Sequence, residues 1–536
     1  MKILILILCL SILGCLKAKK SPFDINGGGS FINVMVLNAV SNQNNRSIAS
    51  NSNALQYIPN TVTITKGFQM ADMNPKTTEN FSSFSANKSL PNGLVLNGTT
   101  GVISGTATVN QAEATYSILA KNSTTSATTD VKITVTSDPP SNLSYNGSSS
   151  GLVSGSTSSN LIFRRTVTAS ISPTISGSAS FSVSPSLPSG LSLNSSSGII
   201  SGTATVSQTA SNYIVTATNQ YGSTQITLSI SVLPVIYAAT FGGGLAISTD
   251  GGNTFTMKTV ANSGLGCDTQ NIVSVDLNGN IYSGNNSNSC TGGISVSSNN
   301  GTSFSLLSGL SGLQIFSESV PSAGTIYAGA FDSTSGFYFS TNSGSSFTQR
   351  TGTSYFASNY INDIYSIGTN VYVANGFSGT GGVSISSDGG NSFTKYNNAN
   401  GLPANTPVSG VYAVGSTIYA ATSSGLYIST NGGTTFTLSG MTGSAIKVFV
   451  SSGIIYVASS TGVYISTNAG ASFSNKTTAS GLPSNSVNSV YVYLDGSIYA
   501  GTSSGIGIST DGGNTFTVRN GANGLTNLNI QSVFLR

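Results

Sequence analysis

Apolar and polar residues alternate in short runs along most of the chain, as in Gln225-Ile-Thr-Leu-Ser-Ile-Ser-Val232 and Tyr116-Ser-Ile-Leu-Ala120. A period of two places the apolar members on one face of a strand, so these runs predict half-buried β-strands. From Val235 onward the pattern repeats: an Ile/Val-Tyr pair, a Gly-led strand such as Gly425-Leu-Tyr-Ile-Ser429, then the frame Ser-x-Asp/Asn-x-Gly-x-x-Phe. The frame starts at Ser248, Ser297, Ser340, Ser386, Ser429, Ser466 and Ser509, at spacings of 37 to 49 residues. Repeats of about 40 residues built from four strands predict propeller blades. Inner strands precede six of the Tyr pairs, at 272–277, 315–320, 361–367, 408–414, 446–450 and 487–494, and the first pair has none. A spare strand remains at 530–535, and its insertion into blade one would close the ring and remove an exposed sheet edge.

Upstream of the repeats lies a duplication. Ser89-Leu-Pro91-Asn-Gly93-Leu-Val-Leu-Asn97 followed by Gly101-Val-Ile-Ser-Gly105 returns as Ser186-Leu-Pro188-Ser-Gly190-Leu-Ser-Leu-Asn194 followed by Gly198-Ile-Ile-Ser-Gly202, at a constant offset of 97 residues. Short strands in units of about 90 residues predict two β-sandwiches. The motif resembles the Ig-like domain family of bacterial surface proteins. The expected fold is therefore all-β: two Ig-like β-sandwiches followed by a seven-bladed β-propeller. The expected boundaries are a signal peptide over 1–14, a flexible tether over 15–53, sandwiches over 54–137 and 138–233, and the propeller over 234–536, closed by the strand at 530–535. Only Leu233-Pro234 separates the second sandwich from the first propeller strand, which predicts a stiff junction.

Composition then narrows the chemistry. Among 536 residues 63 are Gly and only 6% are charged, with a formal net charge of +4 and no basic stripe beyond Lys17 to Lys20, which argues against nucleic-acid binding. The absence of His removes His-based triads, bases and metal sites. The acidic residues of the first sandwich, Asp72, Glu79, Glu113 and Asp130, are too scattered for a calcium cage of six to eight oxygens. No metal and no cofactor are expected.

At the N-terminus, Lys2 and an apolar run from Ile3 to Leu13 precede Gly14-Cys15, the plan of an export signal too short to span a bilayer. Ile12-Leu13-Gly14-Cys15 resembles the lipobox of bacterial lipoproteins, which implies acylation of Cys15 and anchoring of the mature chain to the outer membrane, surface-exposed or facing the periplasm. Two cysteines remain, Cys267 and Cys290, in loops that emerge on the same propeller face. A disulfide and a pair of free thiols are both open, the former favoured by export.

The seven frames resemble the Asp-box, or bacterial neuraminidase repeat, a hairpin turn between the third and fourth strands of a blade. The resemblance implies a structural role for Asp250, Asn299, Asn342, Asp388, Asn431, Asn468 and Asp511, whose common acceptor oxygen would hold the turn. Asp-box propellers include sialidases, whose chemistry requires three arginines, a Tyr–Glu pair and an acid aspartate. Here the propeller carries only Arg350, Arg519, Arg536 and one glutamate, Glu318. Asp276 and Glu318 are the candidates for a carboxylate pair, read more simply as solvated channel residues. No catalytic residue is assigned. The Gly-Leu-Pro loops of the opposite face (Leu402, Pro403 and Asn405; Leu482, Pro483 and Asn485; Leu525) resemble those of two-component regulator propellers and are the expected binding surface, since loops on a rigid scaffold commonly carry recognition. The expected function is adhesion or binding of a protein or matrix ligand by a lipid-anchored envelope protein. The alternatives are an envelope assembly factor and, third, a glycoside hydrolase.

Overall fold

The computed structural model describes residues 55–536, apart from Phe68, Ser137, Asp138, Gly147, Ser178, Gln220 and 287–289. The expected signal peptide, the acylated Cys15 and the tether lie outside the described residues. Among those described, no helix is long and apolar enough to cross a membrane, which leaves β-barrel spans unaddressed. The chain divides into two compact units, 1–137 and 138–536.

In the first unit, Thr61–Thr65, Ser126–Thr136, Gln111–Lys121 and Ser83–Ala86 form a four-stranded sheet in that order, with Thr61–Thr65 parallel to its neighbour. The Leu94–Leu96/Ile103–Gly105 hairpin carries the duplicated motif. Its physics is local. Asn97 Oδ1 accepts the backbone N–H groups of Thr99 and Thr100 at 2.9 and 3.0 Å, and the turn brings Gly101, at φ +73°, onto the Phe84 ring, where a Cβ would lie 2.6 Å from ring carbons. Only glycine fits that contact. The second copy repeats both devices, with Asn194 accepting from Ser196 and Ser197 and Gly198 against Phe181. A buried tyrosine locks each turn: Tyr57 and Tyr145 donate their hydroxyls to the carbonyls of Gly101 and Gly198.

The second unit joins the second sandwich to the propeller. Seven four-stranded antiparallel sheets follow one another, with innermost strands Ile530–Leu535, Gln270–Val275, Ile315–Ser322, Ile361–Ile367, Val408–Val414, Lys447–Ser451 and Val487–Val492 in blades one to seven. Blade one takes its inner strand from the C-terminus, Ile530–Leu535 pairing antiparallel with Ile236–Thr240. Among the described residues, apolar clusters sit between every pair of neighbouring blades, including seven and one. The recurrent Tyr residues belong to these clusters, as at Tyr237, Tyr282 and Tyr327, each about 96–97% buried.

The frames close the hairpins by one mechanism. In all seven the Ser hydroxyl donates to the Asp or Asn Oδ1 at 2.7–2.9 Å. The hydroxyl four residues further on adapts to the partner: it donates to Asp Oδ2 in three copies and accepts from Asn Nδ2 in the other four. A rotatable hydroxyl thus makes Asp and Asn interchangeable.

One frame has a second task. Asp250 is 3% exposed at its side chain and lies 3.7 Å from Arg164 of the second sandwich. The junction also contains Ser207, whose hydroxyl donates to the Arg536 carbonyl, and backbone bonds in both directions between Val235 and Arg536. Asp250→Ala would strip the partner from three donors and a guanidinium in a dry place, so it is expected to cost about 2–3 kcal/mol. Thermal denaturation should show a larger fall than for the same change at Asp511, which is solvent-exposed.

Candidate functional site

The inner strands surround a central cavity of about 410 Å³. Strand register decides what each blade shows it. The inner-strand residue paired with the recurrent Tyr is Phe534 in blade one, Ser274 in two, Ser319 in three, then Tyr365, Tyr412, Phe449 and Tyr491 in four to seven. The five aromatic members form a continuous belt, with ring centroids 4.2 Å apart for Tyr365–Tyr412 and 5.0–5.4 Å for the next three steps to Phe534. The rings are tilted to one another by 34–56°, and aromatic pairs at such separations contribute about 0.5–1.5 kcal/mol each beyond burial.

One residue earlier, six blades place a branched aliphatic: Val533, Val273, Ile364, Val411, Val448 and Val490. Blade three has Glu318. It is 5% exposed, accepts from Ser274 Oγ at 3.1 Å, and its Oε2 has no hydrogen-bond partner. Burial raises its pKa to about 8, against the opposing hydrogen bond from Ser274. A further residue back, blades four and six carry Asp363 and Lys447, joined at 2.5 Å across the strand of blade five. Gly410 stands between them, and a Cβ there would lie 2.6 Å from the Ile446 carbonyl oxygen. Asp363 Oδ2 also accepts from the Val411 N–H at 3.0 Å.

The reading of Asp276 and Glu318 as solvated channel residues is corrected. Both are buried. Asp276 turns away to hold the hairpin after its strand, accepting from Asn280 N and Nδ2 at 2.8 Å each. Glu318 and Asp363 both belong to the cavity lining, Asp363 with Lys447 as its counterion.

The Gly-Leu-Pro loops also differ from expectation. Leu402, Leu482 and Leu525 are 4, 3 and 2% exposed and form part of the inter-blade cores, so they are wedges and present no surface to a ligand. A 3-10 turn precedes each, ending at Gly401, Gly481 and Gly524 with φ of 89–90°. The turn docks on the neighbouring frame: the N–H of Phe436, Phe516 and Phe255 donates to Asn400, Ser480 and Asn523. Pro403 and Pro483 are half-buried, Pro483 against Gly507. Asn405 is exposed at φ 57°, while Asn485 Oδ1 accepts from Thr478 N. Cys267 and Cys290 are joined in a disulfide with Cα atoms 5.5 Å apart. Arg350 and Arg519 lie in outermost strands, and Arg536 donates to the Leu277 carbonyl.

The loop face carries a different cluster. Phe316, Phe331, Tyr360 and Phe377 come from four separate segments of blades three and four. Their centroids are 4.4 Å apart for Phe316–Phe331, 5.0 Å for Phe331–Tyr360, 5.7 Å for Phe331–Phe377 and 4.5 Å for Tyr360–Phe377. Phe377 is 48% exposed, the other three are half-buried, and Phe316 also lines the central cavity. The aromatic belt had a legible signal, a ring at one register in five blades. This cluster had none, because its members sit at unrelated positions in the repeats. Among the described residues, no group of three His, Cys, Asp or Glu side chains is arranged to hold a metal.

Together these features define an all-β protein of two Ig-like modules and a seven-bladed propeller, an architecture that fits an extracellular binding or scaffold role. Residues 42–136 and 149–233 match the family described as "Putative Ig domain". No curated protein matches the chain in sequence. Among solved structures, an ancestral GH74 enzyme is similar at 15% identity and TM-score 0.43, over 53% of this chain and 44% of that one. The extracellular domain of a hybrid two-component system from B. thetaiotaomicron is similar at 14% identity and TM-score 0.40, over 62% of this chain and 39% of that one. YCF48 from Cyanidioschyzon merolae is similar at 15% identity and TM-score 0.28, over 41% of this chain and 70% of that one. The chain thus spans less than half the length of the first two. All three superpose loosely, and the fold assignment rests on the strand pairing itself.

Proposed function

We propose that this is a lipid-anchored protein of the bacterial cell envelope that binds a protein or matrix ligand through the loop face of its propeller, with the Ig-like modules between anchor and propeller in the chain. The resemblance of Ile12 to Cys15 to a lipobox supports the anchor. The observation that carries the binding reading is the half-exposed Phe316–Phe331–Tyr360–Phe377 cluster, since aromatic side chains on a rigid scaffold are the usual anchors of interfaces. The reading is non-catalytic: both Asp363 oxygens are engaged, by Lys447 and by the Val411 N–H, so no free carboxylate stands beside the Glu318 acid.

Protease shaving of intact cells tests the address, and a surface binder is cut while a periplasmic assembly factor is protected. Binding of the purified chain to an immobilised panel of collagen, laminin and fibronectin tests the ligand class. Phe331→Ala and Phe377→Ala are expected to weaken any captured ligand by about 2 kcal/mol each, or roughly thirtyfold. Retained affinity in both variants would move the site off this cluster.

A further inference from the structure

The central cavity has features that neither the propeller fold nor the loop-face reading requires. A ring of seven equivalent positions needs an aliphatic side chain, and six blades supply one. Blade three instead buries a carboxyl group whose Oε2 is unpartnered. An unpaired polar atom in a dry place destabilises the fold unless something completes its hydrogen bonding. Glu318 belongs to the cavity lining, so a ligand donor that reaches its carboxyl group would complete the hydrogen bonding.

The charge and shape of the lining identify that ligand's class. Lys447, the cationic side chain of the lining, is already neutralised by Asp363. What remains is one acid, several Ser hydroxyls and five consecutive aromatic rings. An anion would meet no free cation there, whereas a carboxyl group beside π-rich walls suits a positive charge. The volume matches that of small-molecule pockets, about 300–1,000 Å³.

We propose that the central cavity is a binding site for a small organic cation of the alkylammonium class, held by the Glu318 carboxylate and the aromatic belt. The proposal is independent of the loop-face ligand. Glu318 is buried and its pKa is raised, so the free protein holds it as the neutral acid at pH 7. Arrival of the cation ionises it, and the proton leaves to buffer. The other titratable and charged groups around it are Asp276 and Tyr282 of blade two, Asp363 and Tyr365 of blade four, and Lys447 of blade six.

Isothermal titration of the full chain with choline and with tetramethylammonium, in two buffers of different ionisation enthalpy, tests this. The expected result is saturable binding with about one proton released per ligand at pH 6.5, falling to about half at pH 8. Glu318→Gln should weaken binding by about tenfold or more, and Tyr412→Leu should weaken it without changing proton release. Glu318→Val, which restores the aliphatic ring and should fold at least as well as the parent, should not bind. The proposal is overturned if neither probe binds the parent, if Glu318→Gln binds as the parent does, or if glucose binds with equal affinity and no proton release.

Discussion

Removing Ile530–Arg536 is expected to abolish cooperative folding of the propeller. The segment supplies the inner strand of blade one, and Ile530, Val533 and Leu535 are buried in the core shared with blade seven. Burial of side chains this size stabilises by about 1.5–3 kcal/mol each, so their loss alone approaches the whole stability of a typical domain, about 5–15 kcal/mol. The deletion also exposes the edge of Ile236–Thr240 and removes the Arg536 contacts to Val235, Ser207 and Leu277. Calorimetry of the truncated chain should lose the propeller transition, and near-ultraviolet circular dichroism should lose its aromatic signal. A truncated chain that melts as the full one does would mean that blade one closes without its C-terminal strand. Asn523 adds a second latch, accepting from Phe255 and donating to Asn253 of blade one, so a cut between 526 and 530 leaves a partial clasp and isolates the strand's own contribution.

Glu318 is expected to make the protein less stable as pH rises from about 4.5 to about 8. Its carboxyl titrates near 4.5 when unfolded and near 8 when folded, because burial disfavours the charged form. Below 4.5 both states hold the proton and the contribution is fully present. Between the two values the unfolded chain gives up a proton that the folded chain keeps, so stability falls by about 1.4 kcal/mol per pH unit and then levels off above 8. The full span is at most about 5 kcal/mol. The chain has no His, so few other side chains titrate in this window. Urea denaturation at pH 5 and pH 8 should show the loss in the parent, a flat profile for Glu318→Gln, and a flat and higher profile for Glu318→Val. A parent profile as flat as that of Glu318→Val would show that the carboxyl is solvated in the folded state.

Much of the architecture could be read locally. The Ser-x-Asp/Asn-x-Gly-x-x-Phe frame encodes its turn within eight residues: a hydroxyl, an acceptor oxygen, and a glycine held at positive φ, as at Gly252 and Gly301. The Asn97 and Asn194 turns are equally self-contained. The site was much less legible. Gly-Leu-Pro looked like loop chemistry, yet Leu402, Leu482 and Leu525 are committed to the core by a turn that docks on the next blade. Asp276 and Glu318 looked equivalent as acids on adjacent inner strands. One caps a hairpin two residues beyond the position paired with the recurrent Tyr, and the other replaces an aliphatic one residue before it, a difference of three register positions that puts them on opposite faces.

The sequence by itself determined the all-β class, the number of blades and the spare C-terminal strand, because periodicity and turn chemistry act over a few residues. Only the tertiary structure decided which side chains meet: the belt from Tyr365 to Phe534, the Asp363–Lys447 pair across Gly410, and the ring in which Glu318 is the odd member. Those juxtapositions join residues roughly 40 to 170 positions apart in the chain, where ring closure and register, which no local pattern records, determine the neighbours.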